Sequence, residues 1–173
     1  MAAMRLAITA DHNGVELKSR LSEWLGARGH QVDDRAAHVG HELVDYPPLC
    51  EDACRQVLDG RADYAIVIGG GGSGETIACN KLPGIRAVLC HSVWGAEIGR
   101  GNNDGNVLVV GAKVVEPELA EQIVDAWLTT PFKGEPHATR LAMIAAFERG
   151  DHREACRVWL AMIAALERGE SLL

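Results

Sequence analysis

The chain has 173 residues, a formal net charge of −7, 47% hydrophobic residues and 24% charged ones. That length supports one domain with a sizeable core, and the composition is ordinary for a globular protein. The charge argues against nucleic acid or an anionic membrane as the main partner, so any anionic ligand must be held by local cations or backbone amides.

The opening Met1-Ala-Ala-Met-Arg5 lacks the layout of a signal peptide, and no apolar run is long enough to cross a bilayer. Leu6 to Ala10 reads as a buried strand that ends at Asp11-His12. Val15 to Ala27 sets Val15, Leu17, Leu21, Trp24 and Leu25 on roughly one helical face. Gln31 to Asp33 is a weak second strand, and Tyr46 to Leu58 is helical with Pro47 and Pro48 in its first turn. Tyr64 to Ile68 is a third strand, and Gly74 to Lys81 opens a helix. Ala87 to Cys90 is a fourth strand, after which Ser92 can cap a helix from Val93 to about Gly101. Val107 to Val110 is a fifth strand, followed by helices over Pro117 to Leu128 and Thr139 to Arg149.

This alternation predicts an α/β protein with a mainly parallel five-stranded sheet covered on both faces. Ligands in such folds bind beyond the carboxyl ends of the strands. The expected rim comprises Ala10 to His12, Gly69 to Glu75, Cys90 to Ser92 and the region before Val107. The tail carries a repeat: Leu141-Ala-Met-Ile-Ala-Ala-Phe-Glu-Arg-Gly150 returns almost unchanged from Leu160 to Gly169. Residues 1–150 are expected to form one α/β domain and 151–173 a C-terminal helical extension without chemistry. Five scattered cysteines point to reduced thiols and a cytoplasmic location. Cys50 and Cys54 lie one turn apart, but without a Cys-x-x-Cys or histidine cluster they read as buried small residues.

The run Gly69-Gly-Gly-Gly-Ser-Gly-Glu75 has the composition of a flexible linker, yet it leaves a buried strand and enters a helix. Glycines at such a turn let amides approach a ligand closely, and with the helix N-terminus they form an anion site. The Gly69-x-Gly71-x-x-Gly74 match to a dinucleotide fingerprint is weak, because it follows the third strand. Neither Gly-Lys-Ser/Thr nor Gly-x-Ser-x-Gly occurs there, which removes a P-loop and a nucleophile elbow. Glu75 is either a favourable charge in the first helical turn or a general base aimed at what the amides hold. Asp11 and His12 either cap the next helix or contact a ligand.

Five stretches together resemble the ribose-5-phosphate isomerase B family, which includes galactose-6-phosphate isomerase subunits and tetrose-phosphate isomerases. They are TADHNG (9–14), DYP (45–47), GGGGSGETIACNK, PGIRAV (83–88) and NNDGNVLVVGAKVV (102–115), and the likeness covers Met4 to about Arg149. The resemblance implies a Rossmann-like three-layer sandwich, a homodimer or a dimer of dimers with sites at subunit interfaces, and no metal or organic cofactor. It implies aldose–ketose isomerisation of a small phosphorylated sugar through a cis-enediolate. One branch of the family uses a cysteine at the position of Gly70 and the other a glutamate at that of Glu75, so the resemblance makes Glu75 the base. Gly70, Gly71, Gly72, Ser73 and Gly74 would supply oxyanion amides, Asp11 and His12 would contact hydroxyls and phosphate, and Asn103 would hold a hydroxyl.

The departures from that pattern carry information. The family's ring-opening histidine falls at Asn102, the serine or threonine assisting it at Gly71, and an arginine at Lys113. The family's Arg-His-x-x-Arg reads Pro136-His-Ala-Thr-Arg140, which leaves His137, Arg140 and Lys113 for the phosphate. Arg86 and Arg100 read as surface or packing residues, and His30, His38, His41, His91 and His152 as solvent-facing or loop residues. Two other classes compete: a phosphosugar-binding protein that has lost turnover, and a nucleotide-binding redox protein using Asp33 or Asp34.

Overall fold

A computed structural model describes residues 2–35 and 45–170; His38 and His41 lie outside them. The elements alternate as the hydrophobic pattern predicts. The strands are β1 (Arg5–Ala10), β2 (Gln31–Asp34), β3 (Tyr64–Gly69), β4 (Ala87–Leu89) and β5 (Val107–Gly111). The helices are α1 (Val15–Ala27), α2 (Tyr46–Leu58), α3 (Ser73–Cys79), α4 (Val93–Gly101), α5 (Pro117–Thr129), α6 (His137–Glu148) and α7 (His152–Glu167).

The five strands form one sheet in the order β2-β1-β3-β5-β4, and every pairing is parallel. The central strands are almost wholly buried and mostly apolar because both faces are covered. Leu6, Ile8, Ile66, Ile68, Leu108 and Val110 pack with α1, α4 and α5, where Trp127 is fully buried. The alternate residues Ala7, Ala65, Val67, Val107 and Val109 pack with Cys50, Ala53 and Cys54 of α2 and Cys79 of α3. This period of two fixes the register, since a one-residue slip would exchange the two cores. Ser92 caps α4 as expected, accepting from the Gly95 amide at 3.1 Å.

The described chain divides into two compact units, 1–131 and 132–173. Both copies of the tail repeat belong to the second unit. They end alike: Gly150 and Gly169 take positive φ (72° and 76°), and the next amides return to Ala146 and Ala165, the closure that stops a helix at glycine. Ala146 and Ala155 are the buried contacts of this α6–α7 hairpin. Met143, Ile144, Phe147, Cys156 and Trp159 line an apolar groove of about 420 Å³ on it. No helix among the described residues is long and apolar enough to cross a membrane.

Candidate active site

The carboxyl ends of β1 and β3 lie side by side, with Ala10 opposite Ile68. They carry the two segments singled out from sequence, the Asp11-His12 turn and the glycine loop. Beyond β5, Ala112 and Lys113 donate to the carbonyls of Gly69 (2.8 Å) and Gly70 (3.0 Å). The structure therefore assembles Asp11, His12, Gly70 to Glu75 and the Lys113 backbone at one rim, while the Lys113 side chain reaches into solvent.

The glycines of the loop serve different needs. A methyl placed on Gly69 would lie 2.1 and 2.6 Å from the two carboxylate oxygens of Glu75, so that carboxylate rests directly on the Gly69 α-carbon. Gly72 has φ 82°, and a methyl there would meet Leu89 Cδ1 at 2.5 Å; only glycine turns the chain into α3 at this point. A methyl on Gly74 would lie 2.8 Å from the Tyr46 ring and hydroxyl, whereas one on Gly71 meets nothing within 4 Å. Helix α3 is only seven residues long. Its first amides, those of Ser73, Gly74 and Glu75, have no carbonyl partner within the helix and with the loop amides form the donors available at this turn.

Glu75 is 6% exposed. It lies close enough to the buried cysteines that its charge helps to hold the Cys50 thiol well above its usual range, after the hydrogen bond to Cys79 and burial itself. Cys50 and Cys54 are thus buried packing residues, as expected from sequence, and Cys79 is buried beside them. Burial likewise pushes the Cys90 thiol up to about 12. Among the described residues no group of three or more histidine, cysteine or acidic side chains is placed to hold a metal ion.

Asp11 is buried and does not cap α1, whose N-cap is Gly14 with no side-chain bond. Its carboxylate instead accepts from the Asn13 amide (2.8 Å) and from Asn13 Nδ2 (3.0 Å). His12 Nε2 lies 3.0 Å from the same Nδ2, and its Nδ1 is buried without a hydrogen-bond partner among the described residues. Sequence reasoning assigned no role to Asn13, Tyr46 or Gly69. The first two stand inside the TADHNG and DYP stretches, so a signal was present.

Asn102 and Asn103 correct the expected rim. In a parallel sheet the residues before a strand sit at its amino end. Asn106 donates to Arg86 ahead of β4 and accepts from Ala65 at the start of β3. Segment 102–106 is therefore separated from the glycine loop by the length of β5, about 13 Å or more. Two arginines shape it. Arg86 binds the Asp104 carbonyl (2.7 Å) and carboxylate (2.8 Å). Arg100, buried and hence a packing residue, binds Asp104 Oδ1 (2.9 Å), the Gly105 carbonyl (2.7 Å) and the Tyr64 hydroxyl (2.8 Å). Asp104 is held there at φ 44°.

His30 also departs from expectation, being buried with Nδ1 facing the Met4 amide at 3.3 Å; His91 and His152 are exposed. In the second unit, His137 and Arg140 stand one turn apart on α6 with Nδ1 and Nη1 3.2 Å apart.

A buried carboxylate pressed against an amide-rich turn, at the carboxyl edge of a parallel sheet, defines a class: enzymes that shift a proton beside a developing oxyanion. The comparisons narrow it. The family model described as Ribose/Galactose Isomerase matches residues 6–144. Ribose-5-phosphate isomerase B of Escherichia coli is 40% identical over 145 residues, 84% of this chain and 97% of that protein. D-erythrulose-4-phosphate isomerase of Pectobacterium atrosepticum is 32% identical over 151 residues, 87% and 99% of the two chains. The structure of Clostridium thermocellum ribose-5-phosphate isomerase B superposes with TM-score 0.83 at 42% identity, covering 85% of this chain and 99% of that one. The chain belongs to the ribose/galactose isomerase family.

Proposed function

We propose that this chain, an aldose–ketose isomerase of phosphorylated sugars, interconverts ribose 5-phosphate and ribulose 5-phosphate or close analogues through a cis-enediolate. Glu75 is the base that moves the proton between C1 and C2. The observation that carries this reading is its buried carboxylate seated on Gly69 beside the loop amides. A pure anion binder gains nothing from a carboxylate next to its ligand. The amides of Gly70 to Gly74 stabilise the enediolate oxygen, Asp11 and His12 orient the sugar, and the Lys113 ammonium supplies positive charge for the phosphate.

A second reading is favoured by Asn102 and Gly71, which stand where the family has its ring-opening pair. A tetrose phosphate cannot close a five-membered ring through its phosphorylated oxygen and needs no ring opening. Proton NMR in deuterated water, with ribose 5-phosphate, allose 6-phosphate and the tetrose phosphates, tests both readings. Turnover with deuterium entering C1 of the ketose, or C2 of the aldose when the reaction is run in reverse, supports the enediolate, and the substrate with the highest kcat/KM decides the chain length. Binding without turnover on every sugar would overturn the isomerase and leave an anion cradle.

We also infer that the active unit is a homodimer in which Asn102 and Asn103 act at the glycine loop of a second copy. Their separation from that loop within one chain supports this. So does the exposure of Ile77 (63%), Trp94 (69%) and Val114 (53%), each within three residues of a rim segment. Mixing inactive Glu75→Gln with inactive Asn103→Ala under subunit exchange is expected to restore about a quarter of wild-type activity, since half the dimers are mixed and each holds one intact site. No recovery despite exchange confirmed by native mass spectrometry would place each site within one chain.

A further inference from the structure

We propose that Asn13 is a positioning residue that fixes the neutral His12 ring as its Nδ1–H tautomer and braces it against the glycine loop. The inference follows from what each atom can do. An Asp11 carboxylate only accepts hydrogen bonds, so the end of the Asn13 amide that meets it at 3.0 Å must be the NH₂. The Asn13 backbone amide, 2.8 Å from the other Asp11 oxygen, holds the turn in that geometry. The same NH₂ lies 3.0 Å from His12 Nε2. With one hydrogen given to Asp11, it presents the other to the ring. Nε2 must accept it, and the ring proton is left on Nδ1. Turning the amide over would bring two acceptors together at Asp11.

Two consequences tie this to the site. Nδ1–H becomes a donor without an acceptor among the described residues, and a buried donor left unmet is unfavourable. A substrate oxygen, directly or through a water, can supply that acceptor. The opposite face of Asn13 lies against Gly70, where an added methyl would come 3.3 Å from Cγ and Nδ2. Asn13 therefore occupies the space beside position 70 and links the turn after β1 to the loop after β3. The tautomer assignment stands on geometry alone; its effect on catalysis rests on the isomerase reading above.

Long-range ¹H–¹⁵N NMR of the histidine-labelled full chain distinguishes the two neutral tautomers. His12→Gln identifies the His12 signals among those of seven histidines. The expected wild-type spectrum shows His12 protonated on Nδ1. Asn13→Asp, whose carboxylate accepts in place of the amide, is expected to move the proton to Nε2, and Asn13→Ala to give a mixture. An Nε2–H ring in the wild type, or the same tautomer in all three proteins, overturns the proposal. On the best substrate of the NMR panel, Asn13→Ala is expected to raise KM about tenfold with kcat within about threefold, the mark of lost uniform binding. A fall in kcat alone would overturn the link to substrate. Absence of turnover in the wild type would instead sink the isomerase reading, with the tautomer result still standing.

Discussion

Gly69→Ala is expected to abolish turnover with the fold intact. The three atoms nearest an added methyl all belong to the Glu75 carboxyl group, at 2.1, 2.2 and 2.6 Å. That group ends a flexible side chain, so it yields while the strand holds. The backbone at Gly69 does not require positive φ, and alanine in a strand interior is favoured over glycine by roughly 0.5–1 kcal/mol. Thermal unfolding should therefore shift by only a few degrees. With Glu75 as the proposed base, the added methyl drives its carboxylate from its seat on Gly69, and a misplaced base forfeits the about 10²–10⁴-fold that general base catalysis contributes. Glu75→Gln is expected to cost the same without moving anything. The double variant should be no slower than either single one, because both changes remove a single function. Kinetics of the three proteins on one substrate check this. Additive losses would mean that Gly69 acts on something other than Glu75.

The sheet was legible because its signal is redundant. Each central strand is a short apolar run followed by a helical pattern, and alternate residues facing two cores leave one register. The glycine loop was legible because linker composition cannot be reconciled with a buried strand before it and a helix after it. Two things were not. Composition shows that glycine is present at 69 to 72 and 74 without showing which neighbour excludes a side chain. The open space at Gly71 and the carboxylate on Gly69 are facts of packing between segments. Strand direction is what sets Asn102 and Asn103 apart from the glycine loop. A segment before a strand and a segment after one are both loops in sequence, but in a parallel sheet they lie at opposite ends. That separation is the observation on which the proposal of a second copy rests.

Asn102→His with Gly71→Ser is expected to raise kcat/KM on ribose 5-phosphate by about 10²-fold and to leave the tetrose phosphates within a fewfold. Opening a furanose needs a proton delivered to the ring oxygen and another taken from the anomeric hydroxyl. Asparagine does neither at neutral pH, whereas a histidine titrates near it, and a positioned acid or base is worth about 10²–10⁴-fold. The serine can be accommodated: position 71 is exposed, needs no positive φ, and an added Cβ meets nothing within 4 Å. Each single change should achieve less, since the pair acts together. The selectivity of the gain is diagnostic, because a tetrose phosphate has no such ring to open and serves as the internal control. Enzyme concentration provides a second check. With the wild type, the rate on ribose 5-phosphate should level off at the spontaneous rate of ring opening as enzyme is added, while the rate with the double variant continues to rise. If the wild-type rate stays proportional to enzyme, ring opening is already catalysed by other groups, and Asn102 is no obstacle to a pentose substrate.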